Sequence, residues 1–305
     1  MPIKIPDKLP ARKILLKESI DVIDKSLAVK QDIRPLKFLL LNLMPKKINT
    51  EIQFARLIGA SPLQIELTLM TTKSYKPKNT ENDYLIEFYK TLDDVKNNFY
   101  DVLIVTGAPV EQLPFEDVKY WDELLNILEW SRKNIFRRIG ICWGAQVLLK
   151  VFHNIEKYQL KNKMFGIFDH QLSENNNRLL HGFTDYFPMP VSRFTENKTN
   201  ELLAEGLEIL AISDKSGVGM ARCPQSKDLF ILNHLEYDAN TLNEEFLRDK
   251  AENIEIVRPE NYFPQNDTSQ KPINRWRPYA FLLFANFINE VYQDVPFDLN
   301  KIRTF

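Results

Sequence analysis

The first half of the chain alternates apolar runs of strand length with stretches of helical spacing. "LKFLLLNLM", "LQIELTLM", "DVLIVTGAP" and "RRIGIC" predict strands, and "NTEIQFARLIG" and the segment that begins at Trp121 predict helices. Strands and helices that alternate in this order favour a parallel α/β sheet with right-handed crossovers. In such sheets ligands bind beyond the carboxyl ends of the strands. Gly107 and Cys142 both fall at such ends.

Capping residues and local composition predict where helices begin and end and how the chain is divided into an arm, a domain and a tail. Asn49 or Thr50 is the expected cap of the helix in "NTEIQFARLIG", and Gly59 is its expected end. "LEILAIS", "GVGMARC" and "DLFILNH" predict short strands, and "PYAFLLFANFINEVYQ" predicts a closing helix. The polar, proline-punctuated start favours an arm laid over the body. We therefore predict an arm over residues 1–35, a single domain with insertions over residues 36–295, and a tail over residues 296–305.

The charge balance excludes several classes of partner. The 305 residues carry a formal net charge of -1, which does not indicate binding to nucleic acid or to an anionic membrane surface. No apolar run approaches the roughly 18 residues of a membrane span, and the N-terminus lacks the apolar centre of a signal peptide. Two cysteines far apart in sequence do not indicate a disulfide framework. We expect a cytoplasmic protein with free thiols.

Cys142 lies between two glycines, in "GICWG", where a predicted strand passes into a predicted helix. Glycine is scarce, at nine of the 305 residues, so each one indicates a local backbone requirement. Gly-x-Cys-x-Gly is the pattern of a nucleophile elbow with cysteine in place of serine. The start of a helix favours a thiolate, and its amides point to where an oxyanion would form. The alternative is a buried core cysteine.

A cysteine nucleophile needs a base, and the chain has four histidines. His234 ends the apolar run "DLFILNH". On an extended segment Glu236 would face the same side as His234 and could orient the imidazole ring. The sequence therefore predicts a triad of Cys142, His234 and Glu236.

The other candidates have plainer interpretations. His153 lies eleven residues after Cys142 on the same predicted helix and cannot reach back, and His170 and His181 are expected in polar loops. No two histidines have metal-ligand spacing, so no metal site is predicted. Cys223 has no glycine frame, and we expect it to be structural.

The motifs together resemble a known family. "ICWGAQ" followed much later by "H-x-E" is similar to the class I glutamine amidotransferase-like (flavodoxin-like) fold, a mostly parallel sheet flanked by helices, with its Cys-His-Glu triad. Further segments resemble the homoserine O-acyltransferases of methionine biosynthesis that have this fold: "LNLMPKKINTEIQFARLIGASPLQIEL", "TGAPVEQLPFEDVKYW", "KMFGIFDH", "PVSRF", "EYDANTLNEEFLRD" and "NRWRPYAFLLFANFINEVYQ". The resemblance runs from about residue 1 to 295. One departure is Leu235, where proline often separates the histidine from the glutamate.

The resemblance implies a ping-pong reaction with an acyl-CoA and homoserine as substrates. Cys142 would take the acyl group as a thioester and pass it to the homoserine hydroxyl. His234 would act as the base, with Glu236 holding its ring. No cofactor is implied beyond acetyl-CoA as co-substrate, and the family suggests a homodimer.

The resemblance also assigns residues that pattern alone would leave as ordinary polar positions. Lys47 matches a family lysine that helps to stabilise the oxyanion together with the amide of Trp143, and Lys46 is the weaker candidate for the lysine. Three further positions match substrate contacts: Lys163, Ser192 and Arg248. The guanidinium of Arg248 suits the carboxylate of an amino acid, because its fork matches two oxygens.

Glu111, in "TGAPVEQL", bears on the identity of the acyl donor. In the family a glycine at this position accompanies succinyl transfer and a glutamate accompanies acetyl transfer, so the resemblance favours acetyl-CoA. Without the resemblance Glu111 would be interpreted as an exposed loop charge. Three alternatives stay open: succinyl transfer, a glutaminase subunit that delivers ammonia to a synthase, and a non-enzymatic binding protein on the same fold.

Overall fold

Twelve strands form one sheet in the computed structural model, which describes residues 3–6, 9–17, 22–24, 34–74, 82–173, 177–252 and 256–304. The strands are β1 (Ile3–Ile5), β2 (Val22–Asp24), β3 (Leu36–Leu41), β4 (Ile65–Met70), β5 (Tyr89–Lys90), β6 (Tyr100–Val105), β7 (Ile135–Ile141), β8 (Tyr158–Leu172), β9 (Tyr186–Glu196), β10 (Glu208–Ser213), β11 (Gly217–Arg222) and β12 (Leu229–Ile231). The α-helices are α1 (Ala11–Lys17), α2 (Lys47–Gly59), α3 (Asn82–Phe88), α4 (Leu92–Val95), α5 (Trp121–Asn134), α6 (Trp143–His153), α7 (Thr199–Ala204), α8 (Thr241–Ala251) and α9 (Arg277–Asp294).

The sheet joins a parallel half to an antiparallel half. Its strand order is β2-β1-β4-β3-β6-β7-β12-β11-β10-β8-β9, with β5 paired to β4. Pairing is parallel from β2 to β12 and antiparallel from β12 to β9. The carboxyl ends of β3, β6, β7 and β12 therefore meet at one edge of the sheet.

Alternate residues of the parallel strands face two separate apolar layers. Phe38 and Leu40 of β3 pack in the layer that contains residues of α1, α2 and α9, whereas Leu39 and Leu41 pack in the layer that contains residues of α5 and α6. A period of two on a strand covered on both faces explains why these strands are continuous apolar runs. No helix among the described residues is long and apolar enough to cross a membrane.

The structure differs from the sequence-based elements in three places. Helix α2 begins at Lys47, so neither Asn49 nor Thr50 caps it, although its last residue is the expected Gly59. The described parts of the predicted arm pack α1 against the body, as expected, but they also add β1 and β2 to the sheet edge. "KMFGIFDH" and "PVSRF" belong to the long hairpin β8–β9, which the pattern did not predict. The domain boundaries themselves stay predictions.

Candidate active site

Cys142 occupies a strained turn between β7 and α6. Its backbone has φ 50° and ψ -117°, a conformation that costs free energy in a residue with a side chain. Its amide donates a 2.7 Å hydrogen bond to the carbonyl oxygen of Ile231 at the end of β12. The thiol therefore lies at the carboxyl edge of the sheet and at the amino end of a helix, as the glycine motif predicts.

The two flanking glycines meet a backbone that leaves no room for a side chain. A Cβ at Gly140 would lie 2.4 Å from Cα of Ala145, and one at Gly144 would lie 2.3 Å from the carbonyl oxygen of Val105. Neither backbone atom can move away without disturbing a strand or a helix. Close packing of α6 on the sheet thus explains why a chain poor in glycine has two here.

His234 and Glu236 form the hydrogen-bonded pair that the sequence predicts, but the backbone that carries them has a different conformation from the expected one. Nδ1 of His234 lies 2.7 Å from Oε1 of Glu236, and the imidazole hydrogen-bonds the Cys142 side chain. The two residues lie in a turn beyond β12, not on an extended segment. The amide of His234 donates to the carbonyl oxygen of Pro190 on β9, 2.9 Å away.

Charge stabilises the protonated form of His234. Burial alone lowers the pKa of His234, but the Cys142 thiolate and the Glu236 carboxylate outweigh it and raise that pKa well above its ordinary value. The ring of Tyr237 stacks on the imidazole at 4.1 Å between centroids. The arrangement can therefore hold a thiolate–imidazolium pair, which is the reactive form of a cysteine nucleophile.

Glu111 is not the exposed loop charge of the plainer interpretation. Its carboxylate accepts hydrogen bonds from the amide of Phe194 at 3.0 Å and from Oγ1 of Thr195 at 3.1 Å, both on β9. Burial raises the pKa of Glu111, while His234 and Lys163 lower it through their charges. The carboxylate is thus held firmly within electrostatic range of His234.

Lys47 is buried and Lys46 is exposed, which separates the two lysine candidates. Nζ of Lys47 donates to the carbonyl oxygen of Asn42, 2.5 Å away beyond β3, and lies over the ring of Tyr89. Burial lowers the pKa of Lys47 to about 8, and Glu51 partly opposes this shift. The side chain of Lys46 is 64% exposed. The amide of Trp143 begins helix α6.

A buried carboxylate beside Lys47 escaped the sequence analysis. Glu51 is 1% exposed, and its two oxygens accept 2.6 Å hydrogen bonds from the hydroxyls of Tyr84 and Tyr89. Burial raises the pKa of Glu51. One signal was available: Glu51 follows Lys47 by four residues on the same helix, which places the two side chains on one face.

The three predicted substrate contacts are brought together by two acidic residues of α8. Lys163 donates to Asp249 at 2.9 Å, and Ser192 donates to Glu245 at 2.5 Å. Arg248 also binds Asp249, through Nε at 2.8 Å. The sequence analysis missed both carboxylates, although their spacing in "EEFLRD" puts them on one helix face.

A cavity of about 270 Å³ opens beside these residues. Its wall includes Glu245 and Arg248 from α8, Tyr237 beside the imidazole of His234, and residues 44–46 before α2. Its lining therefore presents one guanidinium, one lysine ammonium and three carboxylates to a small molecule close to the predicted triad. No cluster of three or more potential metal ligands occurs among the described residues.

The remaining histidines correct one expectation. His170 is fully buried on β8, not in a polar loop, and burial lowers its pKa to about 4. His153 is the last residue of α6, as expected, and hydrogen-bonds the thiol of Cys223. That the role of Cys223 is structural stays a prediction.

Solved structures define the fold class. A glutamine amidotransferase from Thermotoga maritima matches with a TM-score of 0.56 at 14% identity, over 86% of this chain and 100% of that one. A glutamine amidotransferase from Methylobacillus flagellatus matches with a TM-score of 0.51 at 12% identity, over 85% of this chain and 95% of that one. The chain therefore has the class I glutamine amidotransferase-like fold that its motifs predict.

Sequence comparison narrows the class to one family. The profile of the family described as Homoserine O-succinyltransferase matches residues 2–297. A Homoserine O-acetyltransferase of Chelativorans sp. is 50% identical over 99% of this chain and 97% of its own length. One of Rhizobium johnstonii is 48% identical over 100% of this chain and 99% of its own length. The chain belongs to the homoserine O-acyltransferase family of methionine biosynthesis.

Proposed function

We propose that the chain transfers an acetyl group from acetyl-CoA to the hydroxyl of L-homoserine through a thioester on Cys142. The observation that carries the proposal is the hydrogen-bonded series of Cys142, His234 and Glu236 at the carboxyl edge of the sheet. It supplies a nucleophile, a base and a residue that orients the base. Family membership supplies homoserine as the acceptor.

The first half-reaction consumes the thiolate–imidazolium pair. The Cys142 thiolate attacks the carbonyl carbon of acetyl-CoA, and the sulfur of CoA leaves with the proton of the His234 imidazolium. The enzyme then holds an acetyl thioester and a neutral imidazole. Glu236 accepts a hydrogen bond from Nδ1–H of His234, so Nε2 is the nitrogen that exchanges a proton with the reactants.

The second half-reaction restores the pair. Nε2 of His234 removes the proton of the homoserine hydroxyl while the hydroxyl oxygen attacks the carbonyl carbon of the thioester. The bond to Sγ of Cys142 breaks, and O-acetyl-L-homoserine leaves a thiolate beside an imidazolium. We assign stabilisation of both tetrahedral oxyanions to the Trp143 amide and to the Lys47 ammonium, which is the buried member of the lysine pair.

The cavity beside the triad suits the amino-acid end of homoserine. The guanidinium of Arg248 can bind the carboxylate in a bidentate fashion, and its side chain is 51% exposed, so it is free to face a ligand. Glu245 lines the same cavity and can accept from the ammonium group. Lys163 and Ser192 hold the α8 carboxylates in place.

Glu111 favours acetyl over succinyl as the transferred group. Its side chain occupies space next to β9 that a longer acyl chain would need, whatever its protonation state. When ionised it also repels a second carboxylate: two like charges about 4 Å apart cost roughly 1 kcal/mol in water and about 4 kcal/mol at an effective dielectric constant of 20. The family description names succinyl transfer, whereas the names of the relatives state acetyl transfer. Our choice of acetyl-CoA as the donor therefore depends on Glu111.

Intact-mass spectrometry tests the thioester. The protein is mixed separately with acetyl-CoA, with succinyl-CoA and with glutamine, and then with homoserine. We expect an acetyl adduct that is lost on adding homoserine and absent in Cys142→Ala, while Cys223→Ala serves as the matched control and retains it. An adduct on Cys142→Ala would refute the mechanism. Equal turnover of succinyl-CoA and acetyl-CoA would refute the proposal that acetyl-CoA is the donor. Release of ammonia from glutamine would favour a glutaminase.

A further inference from the structure

A buried cluster of polar side chains adjoins His234 in the chain and has no part in the steps above. It consists of His170 on β8, Arg193 on β9, Ser216 between β10 and β11, and Asn233 after β12. None of the four is more than 3% exposed. We call these four residues the Arg193 cluster.

The hydrogen bonds of the Arg193 cluster fix the orientation of every member. Nδ1 of His170 lies 2.9 Å from the carbonyl oxygen of Phe168, which can only accept, so Nδ1 carries the proton. Nε2 is then an acceptor for Nδ2 of Asn233 at 2.9 Å and for the Ser216 hydroxyl at 3.2 Å. The amide oxygen of Asn233 is thereby turned to Arg193, which donates to it at 3.2 Å.

The backbone leaves room for this cluster. A Cβ at Gly219 would lie 2.5 Å from Cδ2 of His170, so the imidazole occupies the volume that any side chain at position 219 would need. Gly219 on β11 therefore leaves the space that the imidazole of His170 on β8 fills. The packing of the antiparallel half of the sheet thus accommodates the Arg193 cluster.

Arg193 connects β9 to the residues that precede the predicted base. Its Nη1 donates to the carbonyl oxygen of Leu232 at 3.5 Å and to the side chain of Asn233. These two residues lie beyond the end of β12, where the amide of Leu232 still donates to the carbonyl oxygen of Gly219 on β11 at 2.9 Å. The amide of His234 is held by Pro190, again on β9.

Arg193 forms no ion pair with a carboxylate in the part of the chain that the structure describes. Its acceptors, which include the carbonyl oxygen of Ser216, are all neutral, and its Nε has no partner among the described residues. A buried cation without an adjacent anion is costly, so its retention calls for an explanation. The negative groups that act on it from a distance are Cys142, Glu196 and Glu111, with Cys142 the strongest.

We propose that Arg193 is a positioning residue of the reaction: it holds the end of β12 that leads to His234, and its charge favours the thiolate of Cys142. The inference rests on the proposed role of Cys142 as nucleophile. Among the described residues, three charged or titratable groups interact with Cys142: Arg193 from β9 and, from the segment after β12, His234 and Tyr237. Arg193 is the one among them whose charge does not change with pH.

Alkylation of Cys142 measures this effect without any substrate. In a Cys223→Ser background the rate of reaction with iodoacetamide is followed by intact mass from pH 5 to pH 10. Arg193→Met is expected to move the midpoint of this profile upward by about one pH unit, because an opposite charge near the thiolate is lost. Arg193→Lys keeps the charge and is expected to keep the midpoint. It should lower kcat, because a single ammonium nitrogen cannot reach both the acceptors of Nη1 and the acceptor of Nη2.

Arg222→Met is the matched control. Arg222 is another buried arginine of the sheet, but Glu290 already neutralises it. Its loss is expected to lower stability and to leave the alkylation midpoint unchanged. A wild-type midpoint in folded Arg193→Met, or an equal shift in Arg222→Met, would overturn the inference.

A second variant covers the case in which Arg193→Met does not fold. Asn233→Asp places a carboxylate on the guanidinium and is expected to raise the midpoint in the same direction, so an unchanged midpoint there also contradicts the inference. Failure of the proposed function has a different signature. Wild type would then form no acyl adduct with either acyl-CoA, while the alkylation shift would remain.

Discussion

Single residues at the carboxyl edge of the sheet set the chemistry through their surroundings. Nearby negative charge raises the pKa of His234 well above its ordinary value, although burial opposes this, whereas burial lowers the pKa of His170 to about 4. The same residue type is thus shifted in opposite directions by its surroundings. Glu111 and Lys47 are likewise polar residues whose surroundings, not their types, define what they can do.

Replacement of Glu111 should change the donor. In Glu111→Gly the ratio of succinyl to acetyl turnover is expected to rise about 10-fold to 100-fold, because volume and negative charge are both removed. Steady-state rates with each acyl-CoA measure the ratio. Gln112→Gly, at the exposed neighbouring position, controls for loop flexibility and should keep the wild-type ratio. If the ratio is unchanged in Glu111→Gly, Glu111 does not contribute to the selection of the acyl group.

The proton on Lys47 should limit activity at high pH. Burial lowers the pKa of Lys47 to about 8, so the ammonium is lost as pH rises through that value and the rate is expected to fall with it. Glu51→Gln removes the charge that opposes this shift and should move the fall in kcat to lower pH. Lys46→Met, at the exposed neighbour, should leave its position unchanged. Wild-type pH dependence in Glu51→Gln would contradict the oxyanion role of Lys47.

At the scale of elements, the site depends on how closely α6 packs on the sheet. The turn at Cys142 joins β7 to α6 with no loop, and it is held by Ile231 of β12. The helix can approach the strands only because Gly140 and Gly144 have no side chains. Strands β6, β7 and β12 and helix α6 therefore form one rigid support for the thiol.

A methyl group at Gly144 should disrupt that support. Gly144→Ala places a carbon 2.3 Å from the carbonyl oxygen of Val105, and we expect it to lower the free energy of unfolding by about 3 kcal/mol or more. Gly107→Ala is the matched control, because its nearest neighbours are at 3.6 Å or beyond. Urea denaturation measures both. Equal stability of the two variants would mean that α6 can move away from the sheet.

At the scale of the whole molecule, the sheet combines two halves with different tasks. The parallel half supplies Cys142, the proposed nucleophile, and the buried Lys47, while the antiparallel half supplies the partners of Glu111 on β9 and the residues that hold His234. The active site lies where the two halves join at β12. The homodimer, the cytoplasmic location and the domain boundaries stay predictions.

Buried His170 should make the stability of the whole molecule depend on pH. Its pKa of about 4 in the folded state lies below the ordinary value of 6.5, so the unfolded state binds the proton first as pH falls, and stability is lost between these values. From pH 7 to pH 5 this group should remove about 2 kcal/mol from the free energy of unfolding. His170→Gln should lose that dependence, whereas His181→Gln, at an exposed histidine, should retain it. Identical pH slopes in wild type and His170→Gln would contradict a neutral buried His170.

The sequence by itself determined the elements with strong periodicity and the chemistry that depends on local geometry. Apolar runs of strand length identified β3, β6 and β7, and the glycines around Cys142 identified its turn, because these features depend on neighbours within a few residues. Together with the family resemblance, they placed the fold class correctly.

Only the tertiary structure decided which distant residues meet. The hairpin β8–β9, the burial of His170, the pairing of Lys163 and Arg248 with Asp249, and the neutral surroundings of Arg193 all depend on side chains far apart in sequence. Burial and charge pairing are properties of the folded surroundings and not of residue type, so an arginine or a histidine has the same pattern in the sequence whether it is exposed or enclosed. That is why the triad could be predicted from its motifs, while the residues that hold it could not.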